Sequence, residues 1–144
     1  MTAITVNTDR VAPIKADRAE IVPFIAAETI VRGAPVFIQT TTGKLLNANA
    51  AAAATAAFAG FALSSGAAGQ AIDVLVRGEF AGYDVSGMTV GDPAYLADGG
   101  GLDTAAGTTS VVTSRVIPMT DNALTQVLYV NADLAGSGAF AAGA

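Results

Sequence analysis

Twice along this chain a glycine, any residue and a proline open a short apolar run that ends at a glycine turn and a leucine. The first copy reads Val31-Arg32-Gly33-Ala34-Pro35-Val36-Phe37-Ile38, then Gly43-Lys44-Leu45. The second reads Val90-Gly91-Asp92-Pro93-Ala94-Tyr95-Leu96, then Gly100-Gly101-Leu102. Each copy continues through small residues to a further apolar run, Phe58 to Leu63 and Val111 to Met119. Each closes on an alternating stretch, Ile72 to Val76 and Leu124 to Val130. The features match in order as well as in composition. A spacing of about 55 residues predicts two similar units packed as one body, over residues 29–80 and 88–134.

The local pattern says what those units are made of. Ile72, Val74 and Val76 alternate with Asp73, Leu75 and Arg77 ahead of Gly78. That is the period of a strand, with β-branched side chains on one face. Leu124, Gln126, Leu128 and Val130 alternate with Thr125, Val127 and Tyr129 in the same way. Pro35 and Pro93 each sit where a proline is tolerated, at the first residue of a strand. Strands are therefore expected near 35–39, 72–77, 93–97 and 124–130. The one helical candidate is Ala48–Ala59, which has high propensity but no amphipathic stripe. It reads as a short helix or an ordered loop covering one end of a barrel. The predicted fold is all-β: a small barrel or sandwich over 21–134, an extended N-terminal arm over 1–20, and a flexible tail over 135–144, where glycine, alanine and serine dominate.

A chain of 144 residues is long enough to bury roughly two thirds of its unfolded surface, so it folds without staples. The sequence holds no cysteine and no histidine. That removes disulfides, thiolate nucleophiles, every triad built on histidine, and the donors of a zinc site. Asp92, Asp98 and Asp103 flank Gly99-Gly100-Gly101, but the spacing is wrong for a calcium loop, and aspartate is a favoured turn residue. Thr42-Gly43-Lys44-Leu45 lacks the earlier glycine and the following hydroxyl of a phosphate loop. No catalytic residue, metal or cofactor is expected.

The net charge is −5, and no two of the seven basic residues are adjacent, which does not make a nucleic-acid footprint. Leu45–Ile72 carries no charge but is mostly alanine, too weakly apolar to predict a membrane span. The charged N-terminus lacks the apolar segment of a secretory signal. Its apolar points are Ile4, Val6, Val11 and Ile14. Ile4 and Val6 share a side in an extended chain, so this arm is expected to bind a partner by adding a strand to its sheet edge. A terminus without structure or role is the competing reading.

From Glu28 to Leu134 the chain resembles the capsid decoration, or cement, proteins of tailed bacteriophages, those with a small β-barrel body. The resemblance is carried by Ile30-Val31-Arg32-Gly33-Ala34-Pro35-Val36, by Phe58-Ala59-Gly60-Phe61-Ala62-Leu63, and by Ala67-Ala68-Gly69-Gln70-Ala71-Ile72-Asp73-Val74 running into Val76-Arg77-Gly78-Glu79-Phe80. Val90 to Leu96 and Val127-Leu128-Tyr129-Val130-Asn131 complete it. Met1 to Glu28 does not follow the pattern. The resemblance implies a non-enzymatic virion protein, made in the host cytoplasm, that binds the outer surface of the capsid and stabilises the mature head. Its partners would be the major capsid protein and itself, as a homotrimer, with no nucleic acid and no membrane. Two alternatives stay open: another virion part, such as a head-fibre base or a tail-tube-like subunit, and a β-barrel module for a small ligand.

Overall fold

The alternating run ahead of Gly78 folds as the longest strand among the described residues, and much of the chain is organised along its two edges. The structure, a computed structural model, describes residues 3–119, 122–132, 134–135, 139–141 and 143. The fold is all-β. Its strands are β1 (Ala3–Ile4), β2 (Ala12–Pro13), β3 (Glu20–Ile25), β4 (Pro35–Gln39), β5 (Leu45–Asn47), β6 (Gly60–Ala62), β7 (Ala71–Ala81), β8 (Pro93–Leu96), β9 (Leu102–Asp103), β10 (Val112–Met119), β11 (Asn122–Asn131) and β12 (Phe140–Ala141). All belong to one mixed sheet.

That sheet closes on itself twice. In the first half the order is β3, β7, β6, β4, β5. Ala26, just past β3, then bridges Leu45 of β5, and the Ala27 N–H donates to the Leu45 carbonyl at 2.9 Å. In the second half β7 pairs with β11, followed by β10, β8, β9 and β1. Past β1 the chain returns to the end of β7: Asp84 N–H donates to the Thr5 carbonyl at 2.8 Å and Asn7 N–H to the Gly82 carbonyl at 2.7 Å. The N-terminal half of β7 thus serves one ring and its C-terminal half the other. Closure leaves fewer open strand edges for foreign chains to pair with.

The two halves share one pairing scheme. Gly33 and Gly91 both turn with positive φ, 93° and 95°. Gly33 N–H donates to the Ala62 carbonyl at 2.7 Å, and Gly91 N–H to the Val116 carbonyl at 2.8 Å. Ala34 N–H reaches Val31, and Asp92 N–H reaches Thr89, at 3.0 and 2.9 Å. Pro35 faces Phe61, which faces Leu75. Pro93 faces Arg115, which faces Tyr129. In this register Ile38 opposite Leu45 matches Leu96 opposite Leu102.

Ile72, Val74 and Val76 fill the first ring with Val36, Ile38, Leu45 and Ala62. Phe80, Val116, Leu128 and Val130 belong to the same continuous core. Phe61 stacks at the junction, 4.6 Å from Phe80 and 5.7 Å from Tyr83 between ring centroids. The alanine stretch is an ordered loop whose only helical turn spans Ala53–Thr55. Alanine propensity lost to tertiary packing: Ala48, Ala50 and Ala56 are buried over Phe37 and Leu96. The loop also ties the halves together, with Ala50 N–H on Ala97 and Thr109 N–H on Ala50, at 2.9 and 2.8 Å.

The two ends depart from expectation. The N-terminal segment is not a free arm: Ala3–Ile4 pair with β9, and from Thr5 to Ala26 the chain runs antiparallel along one edge of β7 and its extension, interrupted by short turns at Thr8–Arg10 and Ala16–Arg18. The physical reason is that β7 offers an open edge long enough to satisfy the segment's backbone donors. The described part of the tail is also docked: β12 pairs in parallel with β4, and Ala139 is buried. Residues 136–138, 142 and 144 of the expected tail lie outside the described residues.

Candidate interaction surface

The four apolar points of the N-terminal segment do not form one exposed surface. Ile4 is buried and pairs with Leu102. Val11 has no exposed surface; its side chain is wedged against Gly33 and Gly82, and its carbonyl accepts from Arg32 Nε at 2.8 Å. Ile14 is half-buried, and its N–H donates to the Glu79 carbonyl at 2.9 Å. Only Val6 is exposed, at the bridge to Tyr83. The expected partner-binding role of Ile4 and Val11 is therefore corrected: these side chains belong to the chain's own core.

The same segment presents a different surface one strand further on. Along β3, Val22 and Phe24 pack against the core, while Ile21, Pro23 and Ile25 face outward. Ile21 and Ile25 are each 41% exposed; Asp73 and Ala71, the β7 partners of Pro23 and Ile25, are exposed as well, while Leu75, the partner of Ile21, is buried. This stripe escaped the sequence reading because both faces of β3 are apolar, so no alternation of polarity marks it. The signal was present in Ile21-x-Pro23-x-Ile25, since a proline inside a strand marks an edge. The edge geometry agrees. Ala26 N–H points to Gln70 on the β7 side, and Ala27 N–H points away to Leu45. By alternation, residue 23 would point its N–H to the open edge, and proline has none.

A second surface lies on β10 and β11. Val112, Thr113, Ser114, Arg115, Tyr129 and Asn131 line a shallow cavity of about 260 Å³. Thr113 and Ser114 are buried, and the Thr113 hydroxyl donates to the Ala94 carbonyl at 3.0 Å. Arg115 Nη1 donates to the Gly91 carbonyl at 3.1 Å. Beside them, Arg77 pairs with Glu20 at 2.7 Å, and that carboxylate raises the guanidinium's pKa. Arg18 pairs with the buried Glu79 at 3.3 Å, and the other Glu79 oxygen has no hydrogen-bond partner among the described residues.

The acidic groups are used in turns. Asp84 accepts from the hydroxyl and N–H of Ser86, and Asp98 from the N–H and hydroxyl of Thr108; these bonds hold both carboxyls below the usual range. Among the described residues no three His, Cys, Asp or Glu side chains are placed to hold a metal. The Tyr83 hydroxyl donates to the Gly33 carbonyl, and burial pushes its pKa well up. Another shallow cavity, about 440 Å³, is lined by Ile4, Thr5, Asp84, Ser86, Met88 and neighbours. No family model and no curated protein matches the chain.

Proposed function

We propose that this chain is a non-enzymatic structural protein of a tailed-phage particle, bound to the outer surface of the capsid as a homotrimer and stabilising the mature head. One observation carries the reading: a twice-closed β body presents an ordered apolar stripe, Ile21–Pro23–Ile25, on its outer face. An ordered apolar surface of this kind marks an interaction site. Val31 and Val90, 52% and 50% exposed, add apolar points at the two equivalent turns. The sequence resemblance supplies the kind of partner. The core is filled by aliphatic and aromatic side chains, which weighs against a small ligand held inside it.

A ligand that binds only the expanded shell stabilises it by mass action and needs no catalytic group. Joining three copies multiplies the effective concentration of each contact, so a weak single footprint still holds. The test is co-sedimentation of the purified protein with heads assembled from the major capsid protein of the same genome. Saturable binding at hundreds of copies to expanded heads, with a higher disassembly temperature, is expected. No binding would overturn the reading, and a handful of copies per head would point to a vertex or tail part.

A further inference from the structure

The repeat lets each half serve as a control for the other. At one row of the ladder the first half places Phe61 opposite Leu75, and the second places Arg115 opposite Tyr129. Phe61 and Leu75 are fully buried, with Phe58 5.1 Å and Phe80 4.6 Å from the Phe61 ring. Arg115 is exposed and Tyr129 partly so. One framework position is thus covered within the chain in the first half and open in the second, where its residues are polar.

Their chemistry says what fits there. Arginine presents a planar fork of donors matched to a carboxylate. Arg115 is anchored by Gly91 and meets no carboxylate among the described residues. The neighbouring Arg18 and Arg77 are already balanced by Glu79 and Glu20. Tyr129 and Asn131 add neutral hydrogen-bonding groups, and the exposed Val112 adds an apolar wall suited to a methylene stem. In a chain of net charge −5, this face is where an anionic group meets a favourable local charge.

We infer that the cavity around Arg115 and Tyr129 is a docking site for an acidic side chain presented by a protein partner. It rests on the proposed function for the partner's being a protein, and it names one contact of that interface. The guanidinium fork binds the carboxylate, and the stem lies against Val112 and the Tyr129 ring.

The test uses the full chain, isotopically labelled, titrated at millimolar concentration with three probes: a capped Gly-Glu-Gly peptide, its Gly-Gln-Gly counterpart, and inorganic phosphate. Saturable amide shifts at residues 113–115, 129 and 131 are expected with the glutamate peptide and not with the glutamine one. Arg115→Gln weakens binding by about tenfold, and Arg115→Lys by less, since it keeps the charge but not the fork. No saturable shift with the glutamate peptide, or an equal response to glutamine, overturns the site. Tighter binding of phosphate reassigns it to a free anion and also overturns the inference. The head-binding assay separates the two claims. If the protein binds heads but not the peptide, only the site fails; if it binds the peptide but not heads, only the function fails.

Discussion

Val11 is the pin that holds the N-terminal segment across both rings, and shortening it tests that role. The side chain has no exposed surface. Val11→Ala removes two buried carbons, worth ~0.8 kcal/mol each, so about 1.6 kcal/mol from transfer alone. The space left between Gly33 and Gly82 adds ~1 kcal/mol if the walls do not close. The expected loss is therefore about 2–3 kcal/mol, read from urea unfolding at constant m-value. Amide exchange at Asn7 and Ile14 should quicken more than exchange in β11. The glycines give a sharper contrast. A Cβ at Gly33 would sit 2.8 Å from Val11 Cγ2, whereas one at Gly82 would sit 2.5 Å from Cγ2 and 2.8 Å from Val11 Cα. Shortening Val11 relieves the first clash but not the second, because the second involves backbone. Gly33→Ala should thus be partly rescued in the Val11→Ala background, with its positive-φ strain and a 3.3 Å approach to Val6 Cγ2 remaining, while Gly82→Ala should not. A loss below about 0.5 kcal/mol for Val11→Ala would refute the pin.

Tyr83 should make the fold sensitive to alkali. Its pKa is raised on folding, so above pH 10 the unfolded chain releases the proton before the folded one, and stability falls as pH rises; Tyr83→Phe should abolish that fall in a pH series of unfolding midpoints. Asp98 acts in the opposite direction: its lowered pKa contributes stability at neutral pH that is lost on acidification, and Asp98→Ala should flatten the acid limb of the same series. Pro23→Val restores an N–H to the open edge of β3 and should raise self-association, measured by sedimentation velocity. Ile21→Lys with Ile25→Lys should lower the unfolding midpoint only modestly and abolish head binding, because each residue is 41% exposed in the isolated chain.

The strands around Pro35, Ile72, Pro93 and Leu124 were legible because proline, period-two alternation and glycine turns act locally. For Ala48–Ala59 the sequence left a short helix or an ordered loop open, and packing selects the loop: the small side chains of Ala48, Ala50 and Ala56 pack closely over Phe37 and Leu96. The N-terminal segment read as an arm because its apolar residues are too few for a core of their own. They complete a core supplied by β7 and β9, and nothing local announces that pairing. Arg115 lay inside the apolar run Val111 to Met119, and Tyr129 looked like an ordinary member of an alternating strand. Their meaning emerges only when register sets them against Phe61 and Leu75.

A reconstruction of intact particles carrying this chain bears hardest on the proposed function. The reading predicts density for the two-ring body at repeated positions on the outer face of the expanded head, with the β3 stripe and the Arg115 cavity turned toward protein. Heads whose outer surface carries no such density, or particles in which the chain is found only in the tail, would contradict it.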